Sequence, residues 1–165
     1  MPETVYLLDT SVFTEAGRRY YAFDIAPVFW ETLVACACDG RVVSIDHVRD
    51  ELERGTDELW EWAKKHFAPW FLSTDEAGVV EHYRALTNWA AAQARFTDAA
   101  KDEFYGAADG WLIALALDKV ATVVTQEVSS RDSKKRVKIP DVCSAFDVTC
   151  IDTFRMLREL GVRWT

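Results

Sequence analysis

The feature that most constrains the fold of this 165-residue chain is a series of short, mostly apolar runs that alternate with helical patterns. The runs cover residues 5–8, 42–45, 121–125 and 148–151. Strands that are apolar at successive positions are typical of parallel sheets covered by helices on both faces. The alternation therefore predicts an α/β fold with a central, mainly parallel sheet of four to five strands.

Seven other stretches have the periodicity and the end signals of helices. They are residues 27–38, 46–54, 57–67, 75–93, 98–104, 108–117 and 152–160. Residues 129–136 are polar and predict a loop, and residues 137–139 predict an extended segment before Pro140. No repeat, linker or low-complexity tract interrupts this pattern, so we expect one domain over residues 1–165.

The composition limits the class of protein and its compartment. The net charge of −8 argues against coating nucleic acid through bulk electrostatics, but not against an enzyme that reaches phosphate through bound cations. No apolar stretch approaches the roughly 18 residues that span a bilayer, and the N-terminus lacks a secretion signal. We therefore expect a soluble, cytoplasmic protein. Its four cysteines are expected to be reduced thiols, not disulfides or zinc ligands: Cys36, Cys38, Cys143 and Cys150.

Two acidic residues closely follow predicted strands. Asp9 ends the first apolar run, and Glu127 lies two residues beyond the third. Ligand sites of parallel sheets lie beyond the carboxyl ends of the strands, which favours both acids as metal ligands. The simpler interpretations are that Asp9 or Ser11 only caps the following helix, and that Glu127 is a loop acid.

Two further acids belong to predicted helices. Glu51 flanks the buried stripe formed by Val48 and Leu52, so its side chain can reach inward over the edge of the sheet. The alternative for Glu51 is a solvated acidic face. Asp109 opens an otherwise apolar helix, where the helix dipole or a metal ion can stabilise a carboxylate. The alternative for Asp109 is an ordinary acid of the first helical turn.

Carboxylates that share one crevice need protons or cations. Two unit charges about 4 Å apart repel by about 4 kcal/mol at an effective dielectric near 20. Hard oxygen ligands favour one or two Mg²⁺ or Mn²⁺ ions, which activate water and stabilise the oxygens of a phosphodiester. The sequence offers no convincing Ser/His/Asp arrangement, and we expect His47, His66 and His82 to be solvated.

The order and spacing of these acids resemble the motifs of PIN domains, the VapC-like ribonuclease superfamily. Residues 7–13 resemble the first motif, an apolar strand that ends in Asp-(Thr/Ser)-Ser, and residues 48–52 resemble the second, with Glu51 as its acid. Residues 109–116 resemble the third, and Thr125-Gln126-Glu127 stands where PIN domains carry Thr-x-Asp. Glutamate at position 127 is a departure from the family. Further stretches resemble one PIN-like family of unknown function: residues 19–21, 23–27, 29–30, 44–46, 137–143 and 150–154.

The resemblance implies a three-layer α/β/α PIN-like domain with Mg²⁺- or Mn²⁺-dependent ribonuclease activity. Asp9, Glu51, Asp109 and Glu127 would be the catalytic metal ligands. Many PIN domains are toxins that a protein antitoxin neutralises, and many form homodimers. A basic antitoxin side chain inserted among the acids would suit this acidic protein.

Several supporting roles and alternatives accompany this hypothesis. Ser11 and Thr125 would orient the metal ligands or water without binding the metal themselves. RNA phosphates could be bound by a basic loop and a second basic patch, unless these residues are simply solvated: Lys134, Lys135, Arg136 and Lys138, and Arg18 and Arg19. A second hypothesis is a catalytically weak scaffold that binds RNA or a protein. A phosphatase-like hydrolase is disfavoured, because that family needs an aspartate where Ser11 stands.

Overall fold

The computed structural model describes residues 3–165 and contains a five-stranded sheet with the strand order β3-β2-β1-β4-β5. The strands are β1 (Tyr6–Leu8), β2 (Val42–Ile45), β3 (Phe71–Leu72), β4 (Thr122–Val124) and β5 (Cys150–Ile151). All four neighbouring pairs are parallel, with Tyr6 opposite both Val42 and Thr122. All the strands therefore end at the same edge of the sheet.

Nine α-helices, in the part of the chain that the structure describes, connect and cover these strands. They are α1 (Thr10–Glu15), α2 (Pro27–Cys38), α3 (Asp46–Gly55), α4 (Glu58–His66), α5 (Ala77–Ala92), α6 (Asp98–Gly106), α7 (Asp109–Lys119), α8 (Ile139–Ala145) and α9 (Thr153–Glu159). A π-helix (Ala16–Tyr20) continues α1, and a 3₁₀ turn (Ala68–Trp70) precedes β3.

The sheet is buried between helices, which confirms the predicted three-layer, PIN-like α/β architecture. Every residue of β1, β2 and β4 is buried. This explains why these segments are apolar at successive positions instead of alternating with polar residues. Helix α7 is buried along most of its length and packs against α5 as well as the sheet. The first residue of α7, Asp109, is therefore held by a rigid element.

None of the helices within residues 3–165 combines the length and the apolar character that a membrane crossing requires.

Three elements differ from the sequence prediction. Residues 137–139 were expected to be extended before Pro140, but α8 begins at Ile139, because proline is well suited to the first turn of a helix. Strand β3 has only two residues and is too short to show a periodic pattern. The π-helix was not predicted, since its spacing of hydrogen bonds has no sequence periodicity as clear as that of an α-helix.

All four cysteines are free thiols in the structure. His47, however, is not simply solvated. Its ring stacks on Trp111 with centroids 5.0 Å apart, and Tyr83 stacks on Trp111 at 3.7 Å. These contacts join α3, α5 and α7 beside the strand ends.

Candidate metal centre

Asp9 lies directly after β1 and is buried, with 3% of its surface exposed. Its carboxylate accepts hydrogen bonds from Ser11 Oγ at 2.7 Å and from Thr125 Oγ1 at 2.9 Å. It also caps α1 by accepting the backbone N–H of Ser11 at 3.4 Å. Burial raises the pKa of Asp9, although the hydrogen bonds from Ser11 and Thr125 oppose the shift. The capping and the site interpretations of Asp9 are therefore compatible.

Ser11 and Thr125 join the ends of β1 and β4. Their hydroxyl oxygens lie 3.2 Å apart. Ser11 Oγ accepts the N–H of Gln126 at 2.9 Å, and Thr125 Oγ1 accepts the N–H of Glu127 at 3.1 Å. The two side chains thus fix the backbone that leads from β4 to Glu127, besides holding the carboxylate of Asp9.

Glu51 reaches inward from α3 instead of joining a solvated acidic face. One carboxylate oxygen accepts the Oγ1–H of Thr10 at 2.9 Å, and the other accepts the N–H of Ala108 at 3.3 Å. These contacts join α3 to the residue after Asp9 and to the residue before Asp109. The Thr10 contact was not predicted, although Thr10 belongs to the Asp-Thr-Ser motif that could have indicated it.

Asp109 opens α7, and within residues 3–165 no group donates a hydrogen bond to its carboxylate. Burial raises the pKa of Asp109 well above its ordinary value, and the charges of Asp9, Glu127 and Glu51 raise it further. Asp109 thus lies within electrostatic reach of the other three acids. An acid that only stabilises the first helical turn would not require such surroundings.

Glu127 is almost buried, with 10% of its side chain exposed. It accepts the N–H of Ile139, at the start of α8, at 2.9 Å, and forms an ion pair of 2.7 Å with Arg136. Burial raises the pKa of Glu127. The hydrogen bond from Ile139 and the positive charges of Arg136 and Lys138 oppose this shift, while Asp9 adds to it.

Arg136, predicted to bind RNA phosphates from a basic loop, forms an ion pair inside the chain. Its guanidinium pairs with Glu127 and lowers the pKa of both Glu127 and Asp109. The sequence did not indicate this pairing, because the loop conformation that carries Arg136 back to Glu127 has no sequence motif. Of the other predicted RNA-binding residues, Arg18, Lys134 and Lys135 are exposed, and Lys138 is partly buried. Arg19 is exposed and pairs with Glu15 at 3.3 Å.

A cavity of about 180 Å³ opens between α3, α7 and the loop before α8. Glu51, Asp109 and Arg136 line it together with Glu103. Within residues 3–165, no three His, Cys, Asp or Glu side chains are arranged to hold a metal ion. Two of the four acids are engaged elsewhere, Glu51 with Thr10 and Ala108, and Glu127 with Arg136 and Ile139.

The donor set fits Mg²⁺ or Mn²⁺ better than zinc. All four candidate ligands are carboxylates, the hard oxygen donors that these ions prefer. Asp109 is partly buried, accepts no hydrogen bond within residues 3–165 and interacts unfavourably with three other acids. A divalent cation would remove this unfavourable interaction, so Asp109 is the residue that argues most directly for a metal site.

A five-stranded parallel sheet between two layers of helices, with Asp9 and Glu127 beyond the carboxyl ends of β1 and β4, defines a three-layer α/β domain. The structure is similar to the crystal structure of FitAcB from Neisseria gonorrhoeae, with a TM-score of 0.55 and 21% identity. The match covers 89% of this chain and 96% of the other, and at this identity it concerns the fold. The chain belongs to the family described as "Domain of unknown function (DUF4411)", which matches residues 6–164. A search of curated proteins finds no match to the sequence.

Proposed function

We propose that this protein is a Mg²⁺- or Mn²⁺-dependent endoribonuclease of the VapC-like kind. The observation that carries the proposal is the surroundings of Asp109, a partly buried carboxylate that accepts no hydrogen bond within residues 3–165 and whose pKa is raised by burial and by the charges of Asp9, Glu127 and Glu51. The negative charges of such acids repel one another when no cation is bound, whereas divalent cations would stabilise them.

In this proposal Asp9, Glu51, Asp109 and Glu127 would hold one or two metal ions. When bound, such ions activate water for attack on a phosphodiester and stabilise the attacking and leaving oxygens. The chain's own part is to orient the ligands. The hydroxyls of Ser11 and Thr125 hold Asp9, and the N–H of Ile139 holds Glu127. Arg136 supplies a positive charge beside Glu127, suited to a scissile phosphate.

The wider role that we propose is that of a cytoplasmic toxin in a toxin–antitoxin pair. This follows from the PIN resemblance, and the acidity of the site supports it. A protein antitoxin could neutralise the acids by inserting a basic side chain, a contact that Arg136 already makes with Glu127 within the chain. A homodimer is a further expectation from the resemblance.

The proposal is tested by incubating single-stranded RNA and Mn²⁺ with the wild type, Asp9→Asn, Asp109→Asn and Glu53→Gln. Glu53 is exposed on the same helix as Glu51 and is a matched control. We expect cleavage by the wild type and Glu53→Gln, abolition by EDTA, and a loss of about 100-fold or more in both aspartate variants, because a ligand of the reacting centre is lost. Equal cleavage by all four proteins would contradict the proposal.

A second candidate function is a scaffold that binds RNA or a protein without efficient catalysis. The observation that favours it is the engagement of Glu127 by Arg136 and Ile139, together with the absence, within residues 3–165, of three acids arranged around one point. If the protein is a scaffold, the wild type should bind Mn²⁺ no more tightly than the Asp109→Asn variant does. If it is a nuclease, the wild type should bind Mn²⁺ more tightly than this variant.

A further inference from the structure

A second cavity, of about 410 Å³, lies beside the candidate metal centre at the carboxyl ends of β4 and β5. Thr125 and Glu127 belong both to its lining and to the metal centre. A molecule that fills this cavity would therefore contact residues that hold or provide the acids. The remaining lining includes two aromatic rings and a side-chain amide.

The aromatic wall is formed by Tyr20 and Phe154. Their ring centroids lie 5.4 Å apart and the rings are nearly perpendicular, at 79°. Tyr20 is 48% exposed, so part of its ring is open to a ligand. Its position is set by the π-helix Ala16–Tyr20 and by the next residue, Tyr21, which stacks on Phe29 at 4.3 Å. Short π-helical segments are frequently found at functional sites.

The polar wall is formed by Gln126. Its Oε1 accepts hydrogen bonds from the N–H of Thr153 at 3.2 Å and from the hydroxyl of Thr153 at 3.0 Å. This pair of contacts fixes which end of the amide is the acceptor. The Nε2 group has no acceptor within residues 3–165, so its donors are unused in a cavity that the exposed ring of Tyr20 also lines.

We propose that this cavity is a base-binding subsite, in which an unpaired nucleobase of single-stranded RNA stacks on Tyr20 and accepts a hydrogen bond from Gln126 Nε2. The inference rests on the proposed function for the choice of RNA. Stacking on an aromatic ring and hydrogen bonding to a base edge are the usual means of recognising unpaired bases. The exposed Arg18 and Arg19 directly precede Tyr20 in the π-helix and are suited to the adjoining phosphates.

The subsite explains how an acidic protein selects its substrate. The net charge of −8 gives the protein no overall electrostatic attraction for RNA, so the binding energy must come from local contacts. A base inside a duplex is stacked and paired and cannot reach Tyr20, whereas a base in a loop or single strand can. The substrate class is therefore single-stranded RNA, with the scissile phosphate beside a base held in this cavity.

The test is fluorescence anisotropy with a labelled uridine octamer and a matched octamer of abasic ribose phosphates, in Mn²⁺ and an Asp109→Asn background that prevents cleavage. We expect Tyr20→Ala to weaken binding of the uridine octamer by about 5- to 100-fold, the usual effect of removing one stacking ring. Tyr20→Phe should bind as tightly as the background, because it keeps the ring. The control Ile25→Ala removes another exposed apolar side chain, 80% exposed and outside the cavity, and should have no effect.

Equal binding of the uridine and abasic octamers would overturn the inference, as would equal binding by Tyr20→Ala and the background protein. Absence of binding at about 1 mM octamer, well above ordinary non-specific affinities, would also overturn it. Phe154→Leu provides a second variant that removes the perpendicular ring and should weaken binding as well.

The failure of this inference is distinguishable from the failure of the proposed function. Cleavage is measured separately with the wild-type protein. Tyr20-dependent binding without any metal-dependent cleavage would keep the subsite and contradict the nuclease. Cleavage with no dependence of binding on Tyr20 would keep the nuclease and contradict the subsite.

Discussion

At the scale of single residues, Asp9 both caps α1 and belongs to the acidic site. Three hydrogen-bond donors from Ser11 and Thr125 hold the carboxylate in its orientation. Asp109 is different, because nothing within residues 3–165 donates to its side chain. Replacing Asp109 with asparagine therefore removes a charge without breaking a hydrogen bond.

We predict that Asp109→Asn stabilises the metal-free protein at neutral pH. The pKa of Asp109 is raised in the folded state, so as the pH rises Asp109 loses its proton first in the unfolded chain. The free energy of unfolding therefore falls with rising pH until Asp109 also ionises in the folded protein. The stability gained by the variant should therefore be absent below about pH 4 and grow towards neutral pH. Thermal unfolding in EDTA should show a higher Tm for Asp109→Asn than for the wild type. In a chain of this size, each kcal/mol of stabilisation raises Tm by about 2–4 °C.

The control for this prediction is Asp118→Asn, at the opposite end of the same helix. Its carboxylate lies 3.6 Å from Lys119, so neutralising it should leave stability unchanged or slightly lower. A Tm for Asp109→Asn that equals or falls below the wild-type value in EDTA at neutral pH would show that Asp109 is not strained by its acidic surroundings.

A second prediction concerns Arg136. Because its charge lowers the pKa of both Glu127 and Asp109, Arg136→Gln should raise both values, and Glu127 should be affected most since it is the direct partner. Carboxyl ¹³C NMR titration of the metal-free protein measures both groups. The exposed neighbour Lys135 is a matched control, and Lys135→Gln should leave the titration of Glu127 unchanged. An unaltered Glu127 titration in Arg136→Gln would contradict the ion pair.

At the scale of elements, α7 carries Asp109 and depends on close packing at its second residue. A Cβ atom at Gly110 would lie 3.0 Å from Tyr83 Cε2 and 3.2 Å from Phe104 Cζ. Both rings must therefore give way by a few tenths of an ångström to accommodate a larger residue. Glycine at position 110 is explained by this close approach.

We predict that Gly110→Ala destabilises the protein by about 1–3 kcal/mol, the usual cost of overpacking. Gly106→Ala is the matched control, since a Cβ atom there meets nothing within 4 Å, and it should be neutral or slightly stabilising. Urea unfolding of both variants measures the difference. Equal stability of Gly110→Ala and Gly106→Ala would show that α7 tolerates displacement at this end.

Elements were predictable where the physical signal was long or repeated. The apolar runs predicted β1, β2, β4 and β5, and the end signals predicted most helices within a few residues. Strand β3 was missed because two residues carry no periodicity. Helix α8 was missed because Pro140 suggested an extended segment, whereas the same residue is favourable in a first helical turn.

At the scale of the whole molecule, the strand order places the residues that follow β1 and β4 side by side. Parallel strands bring Asp9 and Thr125 to one edge of the sheet, and this much was predictable from the sequence. The partners of each acid were not predictable. Two of these contacts join Glu51 to Ala108 and Glu127 to Arg136. Both depend on loops whose conformations no sequence pattern indicates. The same holds for the cavity beside Tyr20.

The central claim is that four acids, distant in the sequence, form one divalent cation site. Isothermal titration of the wild-type protein with Mn²⁺ tests it most directly, with Glu51→Gln and Asp109→Asn as variants and Glu53→Gln as the control. We expect saturable binding of one or two ions by the wild type and Glu53→Gln. The affinity of Glu51→Gln and Asp109→Asn should be at least about tenfold weaker, a difference of about 1.4 kcal/mol. Identical titrations for all four proteins, or no saturable binding by the wild type, would contradict this claim.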